Sequence, residues 1–262
     1  MACYKSRPAW QNQEGDPLQF TWRKDRQPEY FIDCGKCEGC RARQRQDWAI
    51  RLAHESKSFE QNSFVTLTYD DEHCPETIQR SDIQNFIKRL RKKIPVRYYV
   101  TGEYGDTTRR PHYHAIIFGA DFLGGSYDIN SKLYGNKILD NIWQQGATAI
   151  SPFTFATAMY TAGYTAKKIH DPDTFSLQSR NPPIGKNWVR NHHDNIRRNS
   201  NVVIEGQEFP IPKVYLNWLQ GAECFAHIKE ELKNAVKPKN DKKLKAMQKN
   251  QQAKNNLRNH KL

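Results

Sequence analysis

The chain has 262 residues, enough for one sizeable domain with an appended module, and its 41 Lys and Arg outnumber 28 Asp and Glu to give a net charge of +13. Such an excess calls for a polyanionic partner. No apolar run approaches the roughly 20 residues needed to cross a bilayer, and the N-terminus, MACYKSRPAW, has no signal-like apolar block, so nucleic acid is a simpler expectation than a membrane.

The first feature along the chain is chemical. Cys34, Cys37 and Cys40 form a C-x2-C-x2-C run in DCGKCEGCR, whose two glycines let the loop wrap its sulfurs around one centre, and Cys3 offers a fourth thiolate. Four thiolates make a closed structural Zn2+ site. An iron–sulfur cluster or plain unligated thiols fit the same spacing, whereas disulfides suit a chain without a secretory signal poorly. His54, on the helix-like stretch Arg41–Phe59, is a substitute fourth ligand. Cys74 and Cys224 read as isolated thiols.

Phe64–Tyr69 is strand-like, and Asp82–Ile94 reads as a helix with Ser81 as its N-cap. Arg89, Arg91, Lys92 and Lys93 on that helix, like Arg190, Arg197 and Arg198 further on, suit phosphate contacts or an ordinary solvated face. Strands Val96–Thr101 and Tyr113–Phe118 follow, joined through Gly105–Pro111, and a short connection favours antiparallel pairing. Alternate strand residues share a face, so His112 and His114 point one way while Tyr113 and Ala115 point the other. An antiparallel return brings the Glu103 carboxylate beside both imidazoles, and two nitrogens with one oxygen leave coordination sites on a divalent ion open to substrate. Two satisfied, partly buried histidines are the plainer alternative.

Helices are expected near Lys137–Gln145 and over Phe153–Lys168. In the second, ATAMYTAGYTAKKI places Tyr160 and Tyr164 four residues apart on one face, with Lys167 and Lys168 at the next turn. Two phenols so placed are packing partners or, with a cation nearby, nucleophiles toward a phosphodiester. Tyr164 has Lys167 three residues later where Tyr160 has Gly163, an asymmetry that favours Tyr164 as the better activated. Gly163 itself weakens the helix by about 1 kcal/mol relative to alanine, which suits either an exchange of the two phenols or a close approach of DNA. Asp171–Pro212 is polar and proline-bearing and reads mostly as loops, and a last helix spans Val214–Val236. Lys237–Leu262 has nine basic residues and one acidic, the composition of a solvated, mobile tail that tethers DNA or frays without a duty.

Four segments in order give these residues a family likeness. FVTLTYDDEHCP (Phe64–Pro75), the Glu103 and RPHYH stretch within Gly102–Gly119, YTAGYTAKK (Tyr160–Lys168), and SRNPPIG (Ser179–Gly185) with PIPKVY (Pro210–Tyr215) resemble the motifs of rolling-circle replication initiators of the HUH endonuclease superfamily. The resemblance is greatest to the initiators of small single-stranded DNA phages, the Microviridae, in their gokushovirus branch, and it spans the chain from Cys3 to about Tyr215.

That resemblance implies an α+β fold, a central antiparallel sheet flanked by helices, with the Cys-rich module at its N-terminus. It implies that Glu103, His112 and His114 hold Mg2+ or Mn2+ against the scissile phosphate. Tyr160 and Tyr164, assisted by Lys167, would cut single-stranded origin DNA by transesterification, leaving a 5′-phosphotyrosine and a free 3′-hydroxyl, with Lys168, Arg109 and Arg110 on the DNA. The expected partners are single-stranded and supercoiled phage DNA at the replication origin, a host helicase, since no GxxxxGK[ST] loop is present, and a host polymerase, all in the host bacterial cytoplasm.

The expected organisation is a Cys-rich segment and helix over 1–60, a nicking domain with a helical extension over 61–236, and a basic tail over 237–262. Three rivals stand beside it. A basic protein that binds or packages single-stranded DNA without catalysis explains the charge and aromatics but not the Glu, His-x-His and paired tyrosines. A metallohydrolase would release product by water attack. A plasmid relaxase or transposase of the same superfamily would share the chemistry and differ in biology.

Overall fold

The computed structural model describes residues 3–13, 16–105, 107–167, 173–199, 201–220, 245–250 and 253. The chain divides into two compact units, Arg45–Lys233 and Met1–Gln44 with Asn234–Leu262.

In the smaller unit β1 (Arg7–Ala9) pairs antiparallel with β2 (Tyr30–Ile32), and α1 (Glu38–Ser56) begins just after the cysteine loop. Of the basic tail, residues 245–250 are helical, and nearly all the rest lies outside the described residues.

The larger unit is built on seven antiparallel strands. They are β3 (Asn62–Thr68), β4 (Arg97–Tyr104), β5 (Pro111–Phe118), β6 (Tyr127–Asn130), β7 (Leu133–Gly135), β8 (Thr148–Pro152) and β9 (Phe175–Gln178), arranged in space as β6-β7-β8-β3-β5-β4-β9. This is the α+β architecture expected from the sequence.

Period-two alternation gives the sheet two buried faces. Val65, Leu67, Val100, Tyr113, Ala115, Ile117 and Ile150 face α2 (Arg80–Arg91) and α3 (Lys137–Trp143), which contribute Ile83, Phe86, Leu90, Leu139, Ile142 and Trp143. Phe64, Tyr99, Ile116 and Phe118 on the opposite face meet Ala49 and Leu52 of α1 and Ala158 and Ala162 of α4 (Phe155–Lys167). The alanines let α4 lie close to the strands. A further cluster joins α1, through Ile50 and Ala53, to α5 (Lys186–Asn199), the hairpin of β10 (Asn201–Ile204) and β11 (Gln207–Pro210), and α6 (Lys213–Trp218).

Three expectations are corrected. Helix α2 starts one residue before Ser81, with Gln79 at the N-cap and no side-chain cap bond, so Ser81 lies inside the first turn. Asp171–Pro212, read as mostly loops, contains β9, α5 and the β10–β11 hairpin among its described residues. Its signals are short: β9 has four residues, and α5 is kinked at His192, whose backbone leaves the helical region at φ −129°. The last helix ends at Trp218 with Leu219 as its C-cap, and the expected continuation from residue 221 to Val236 lies outside the described residues.

Trp143 ties one helical layer to the strand beside the histidines. It is fully buried, packs against Tyr69, Phe86 and Tyr113, and donates its indole N–H to the Thr68 carbonyl at 2.9 Å. Trp143→Ala should therefore lower the unfolding free energy by about 3–5 kcal/mol, measured by urea denaturation of the metal-free protein.

Candidate active site

The β4–β5 pairing sets Glu103 directly across from His112 and Thr101 across from His114, while β3 sets Thr66 across from His114 on the other side. All these side chains share one face. Glu103 Oε1 lies 3.0 Å from His112 Nε2 and 2.9 Å from His114 Nε2. The outer ring atoms are occupied: His114 Nδ1 meets the Thr66 hydroxyl at 3.1 Å, and His112 Nδ1 faces the Arg110 carbonyl at 3.4 Å. Both rings thus direct Nε2 inward.

This donor set fits a divalent ion. Metal–ligand bonds of about 2.0–2.2 Å put neighbouring donors about 3 Å apart, close to the separations between the carboxylate oxygen and each imidazole. All three ligand atoms fall within 4.8 Å of one another, and Thr66 and the Arg110 carbonyl supply the outer contacts that orient ligating histidines. Glu103 is buried, which opposes its charge, yet hydrogen bonds from His112 and His114 outweigh burial and hold its pKa down at about 2.

Helix α4 brings both tyrosines onto this face. The Tyr160 hydroxyl lies 3.5 Å from His114 Nε2, and the two phenol rings meet edge-on with centroids 4.9 Å apart. Tyr164 stacks on His114 at 5.3 Å, and Phe64 stacks on the same imidazole at 5.5 Å. The two phenols differ in access: Tyr160 is 46% exposed and Tyr164 only 8%. Burial, then the hydrogen bond with Tyr160 and the nearby Glu103 charge, push the Tyr164 phenol well above its ordinary value. The expectation that Tyr164 is the better activated phenol thus runs against its surroundings. Lys167 closes α4, and Lys168 lies outside the described residues.

Gly163 has a structural reason beyond the two weighed from sequence. A Cβ there would stand 3.3 Å from Arg45 Nε, and this nitrogen donates to the Met159 carbonyl at 2.7 Å, so the missing side chain admits α1 against α4. The basic residues are tied up in several places. Arg110 pairs with Asp71 at 2.5 Å and donates to the carbonyls of Tyr69 and Asp70, which braces the β4–β5 turn, and the guanidinium of Arg109 lies 4.7 Å from the centre of the Tyr104 ring. Arg89 donates to the carbonyls of Ile142 and Trp143, and Arg91 to Val96 and Ser179. Lys92, Lys93 and Arg190 are exposed.

The sulfurs of Cys3, Cys34, Cys37 and Cys40 converge within 4.8 Å of one another, so the fourth position falls to Cys3. His54 is not the substitute ligand. It is fully buried, stacked on Trp188 at 3.5 Å and bonded through Nδ1 to the Tyr215 hydroxyl at 2.9 Å, and burial lowers its pKa to about 3. Cys74 stands apart with its Sγ 3.9 Å from the Pro75 carbonyl, and Cys224 lies outside the described residues.

Sequence reasoning missed Thr66 and Phe64 as partners of His114. The alternation in FVTLT puts both on one strand face, but only the β3–β5 register shows that this is the histidine face.

A sequence profile for the replication-associated protein ORF2 family matches residues 62–169, the stretch that holds the whole carboxylate, histidine and tyrosine set. Replication-associated protein VP4 of Bdellovibrio phage phiMH2K is 34% identical over 83% of this chain and 77% of its own length. The chain belongs to the family of Microviridae-type phage replication-associated proteins. Other family members that it resembles are replication-associated protein ORF2 of Spiroplasma virus 4, 30% identical over 77% of this chain and 71% of that protein, and ORF4 of Chlamydia phage 1, 27% identical over 74% and 55%. No solved structure matches the chain. Among the described residues no helix is long and apolar enough to cross a membrane.

Two outcomes follow for this phage-family site. A Cβ on Gly102 would meet Ile78 Cγ2 at 2.9 Å and the Tyr113 ring at 3.1 Å, so Gly102→Ala should cost about 1–3 kcal/mol of stability and, by shifting Glu103, weaken Mn2+ binding in isothermal titration calorimetry. Because the folded pKa of Glu103 lies below its ordinary 4.5, its contribution to stability is full above pH 4.5 and is lost as the pH falls toward about 2. In metal-free urea titrations the advantage of wild type over Glu103→Gln should shrink across that window.

Proposed function

We propose that this chain initiates rolling-circle replication by nicking single-stranded origin DNA through a tyrosine ester, as an HUH-type endonuclease and strand transferase. The observation that carries this reading is the Tyr160 hydroxyl 3.5 Å from His114 Nε2, itself 2.9 Å from the Glu103 carboxylate. Glu103, His112 and His114 would hold Mg2+ or Mn2+, which when bound supplies a Lewis acid to a nonbridging oxygen of the scissile phosphate.

The protein's own residues do the rest. Thr66 and the Arg110 carbonyl keep both imidazoles aimed inward. Tyr160 Oη forms a bond to phosphorus as the bond from phosphorus to the 3′-oxygen breaks, and the proton lost at Oη is balanced by one gained at the 3′-oxygen. The 5′-phosphotyrosine conserves the bond, and the free 3′-hydroxyl primes a polymerase.

Tyr164, one turn along α4, is a second nucleophile for the regenerated origin. Its attack releases a new 3′-hydroxyl, which displaces the first phosphotyrosine and closes a circle. Lys167 and Lys168 are assigned to phosphate charge from the motif alone. The reaction takes place in the host bacterial cytoplasm, on single-stranded or supercoiled phage DNA, and leaves unwinding to a host helicase.

Incubation with 5′- and 3′-labelled single-stranded viral DNA and Mn2+ tests the reading on a denaturing gel. The fragment bearing the 5′ end at the cut should be linked to protein, each single Tyr→Phe variant should still cut, and the Tyr160→Phe, Tyr164→Phe double variant should not. Tyr160→Phe should slow the first cut more than Tyr164→Phe, since Tyr160 is the exposed phenol. Cleavage without an adduct that persists in the double variant would replace the proposal with a hydrolase, and binding without cleavage with a packaging protein.

A further inference from the structure

The smaller unit lacks what normally holds so short a segment together. Among the described residues of Met1–Gln44, the buried apolar side chains are Cys3, Ala9, Trp10 and Cys40. Its regular pairing is two three-residue strands and one bridge between Trp10 and Gln19. Chains of about 40 residues rarely fold on a core alone and usually need disulfides, a metal or a partner.

Its four cysteines are free, so disulfides do not supply the staple. They nonetheless converge: Cys37 Sγ lies 3.6 Å from Cys40 Sγ and 3.8 Å from Cys3 Sγ, and Cys34 Sγ lies 4.0 Å from Cys40 Sγ. A zinc–sulfur bond of about 2.3 Å makes a tetrahedron with sulfur–sulfur edges of about 3.8 Å. A disulfide would need about 2.0 Å. A polynuclear iron–sulfur cluster would spread its cysteines over several irons and hold them further apart.

The surrounding backbone is shaped for sulfur acceptors. The Cys34 amide donates to Cys3 Sγ at 3.2 Å, the Cys37 amide to Cys34 Sγ at 3.3 Å, and the Tyr4 amide to Cys37 Sγ at 3.4 Å. Gly35, at φ +74°, makes the turn that aims the Cys37 amide at Cys34. Arg43 on α1 pairs with Asp33 at 2.5 Å and fixes the loop's entry to the helix that follows Cys40.

We propose that Cys3, Cys34, Cys37 and Cys40 form a closed structural site for one Zn2+ ion, which staples the segment at Cys3 to the first turn of α1 and keeps the N-terminal unit folded. Four protein donors leave no open position, so the site takes no part in the chemistry at Glu103, His112 and His114. Binding there is folding energy for this unit.

The test uses the full-length protein and does not read nicking. Wild type and a His112→Ala, His114→Ala variant, which lacks the other donor set, should each retain one equivalent of zinc by mass spectrometry after dialysis against EDTA. Titrating the thiols with a mercurial should release that zinc. Exchange for Co2+ should give the sulfur-to-cobalt charge-transfer bands of a tetrahedral tetrathiolate, a signature that needs no variant and so does not depend on whether Cys→Ser proteins fold. Cys3→Ser should lower zinc retention at least tenfold. Absence of bound metal with all four thiols open to Ellman's reagent in the native protein would overturn the proposal, as would stoichiometric iron or cobalt spectra without thiolate bands. A zinc-loaded protein that fails to nick would count against the proposed reaction and leave this site standing.

Discussion

The register between β4 and β5 decides where every side chain of the site lies. Sheet pairing has a period of two, so a slip of one residue would carry His112 and His114 to the face of Tyr113 and leave Glu103 beside a hydrophobic core. Three devices hold the register. Gly102 accepts the Tyr113 ring against its bare Cα, the Tyr113 hydroxyl donates to the Gln79 carbonyl at 2.8 Å, and Arg110 clamps the turn to Asp71. The apolar face is thus the reason the polar face has its geometry.

On the polar face the opposing terms are desolvation and hydrogen bonding. A carboxylate as buried as Glu103 would ordinarily take up a proton, and two imidazoles reverse that preference. The same carboxylate raises the cost of ionising Tyr164. Glu103, His114 and the two phenols therefore form one coupled electrostatic group, in which a cation among the three donors would act on both tyrosines at once.

Much of this was legible in the sequence because local periodicity carried it. His112 and His114 share a face by strand alternation, Tyr160 and Tyr164 by helical spacing, and the Glu103 position follows from a short antiparallel return. What was not legible depends on tertiary placement. His54 resembles a cysteine-cluster ligand in sequence, but the ring is taken up between Trp188 and Tyr215, which lie more than 130 residues away along the chain. In Asp171–Pro212, polar composition hid α5, whose apolar anchors Trp188, Val189 and Ile196 are few and interrupted by the kink at His192. The β10–β11 hairpin did carry a signal, since Glu205 and Gly206 both take positive φ between two short extended runs. Nor could Gly163 be read correctly without Arg45 beside it.

The alanines of α4 have a consequence for how the two phenols share one reaction. Ala158 and Ala162 are fully buried against Phe64, Tyr99 and Ile116, and side chains so small leave the helix no slack to rock or slide on the sheet. The spacing between the nucleophiles is therefore a fixed length set by a helical turn. Any alternation between them must be made by the DNA, whose flexible single strand travels from one phenol to the other while the protein stays still, like thread passed between two pins of a loom.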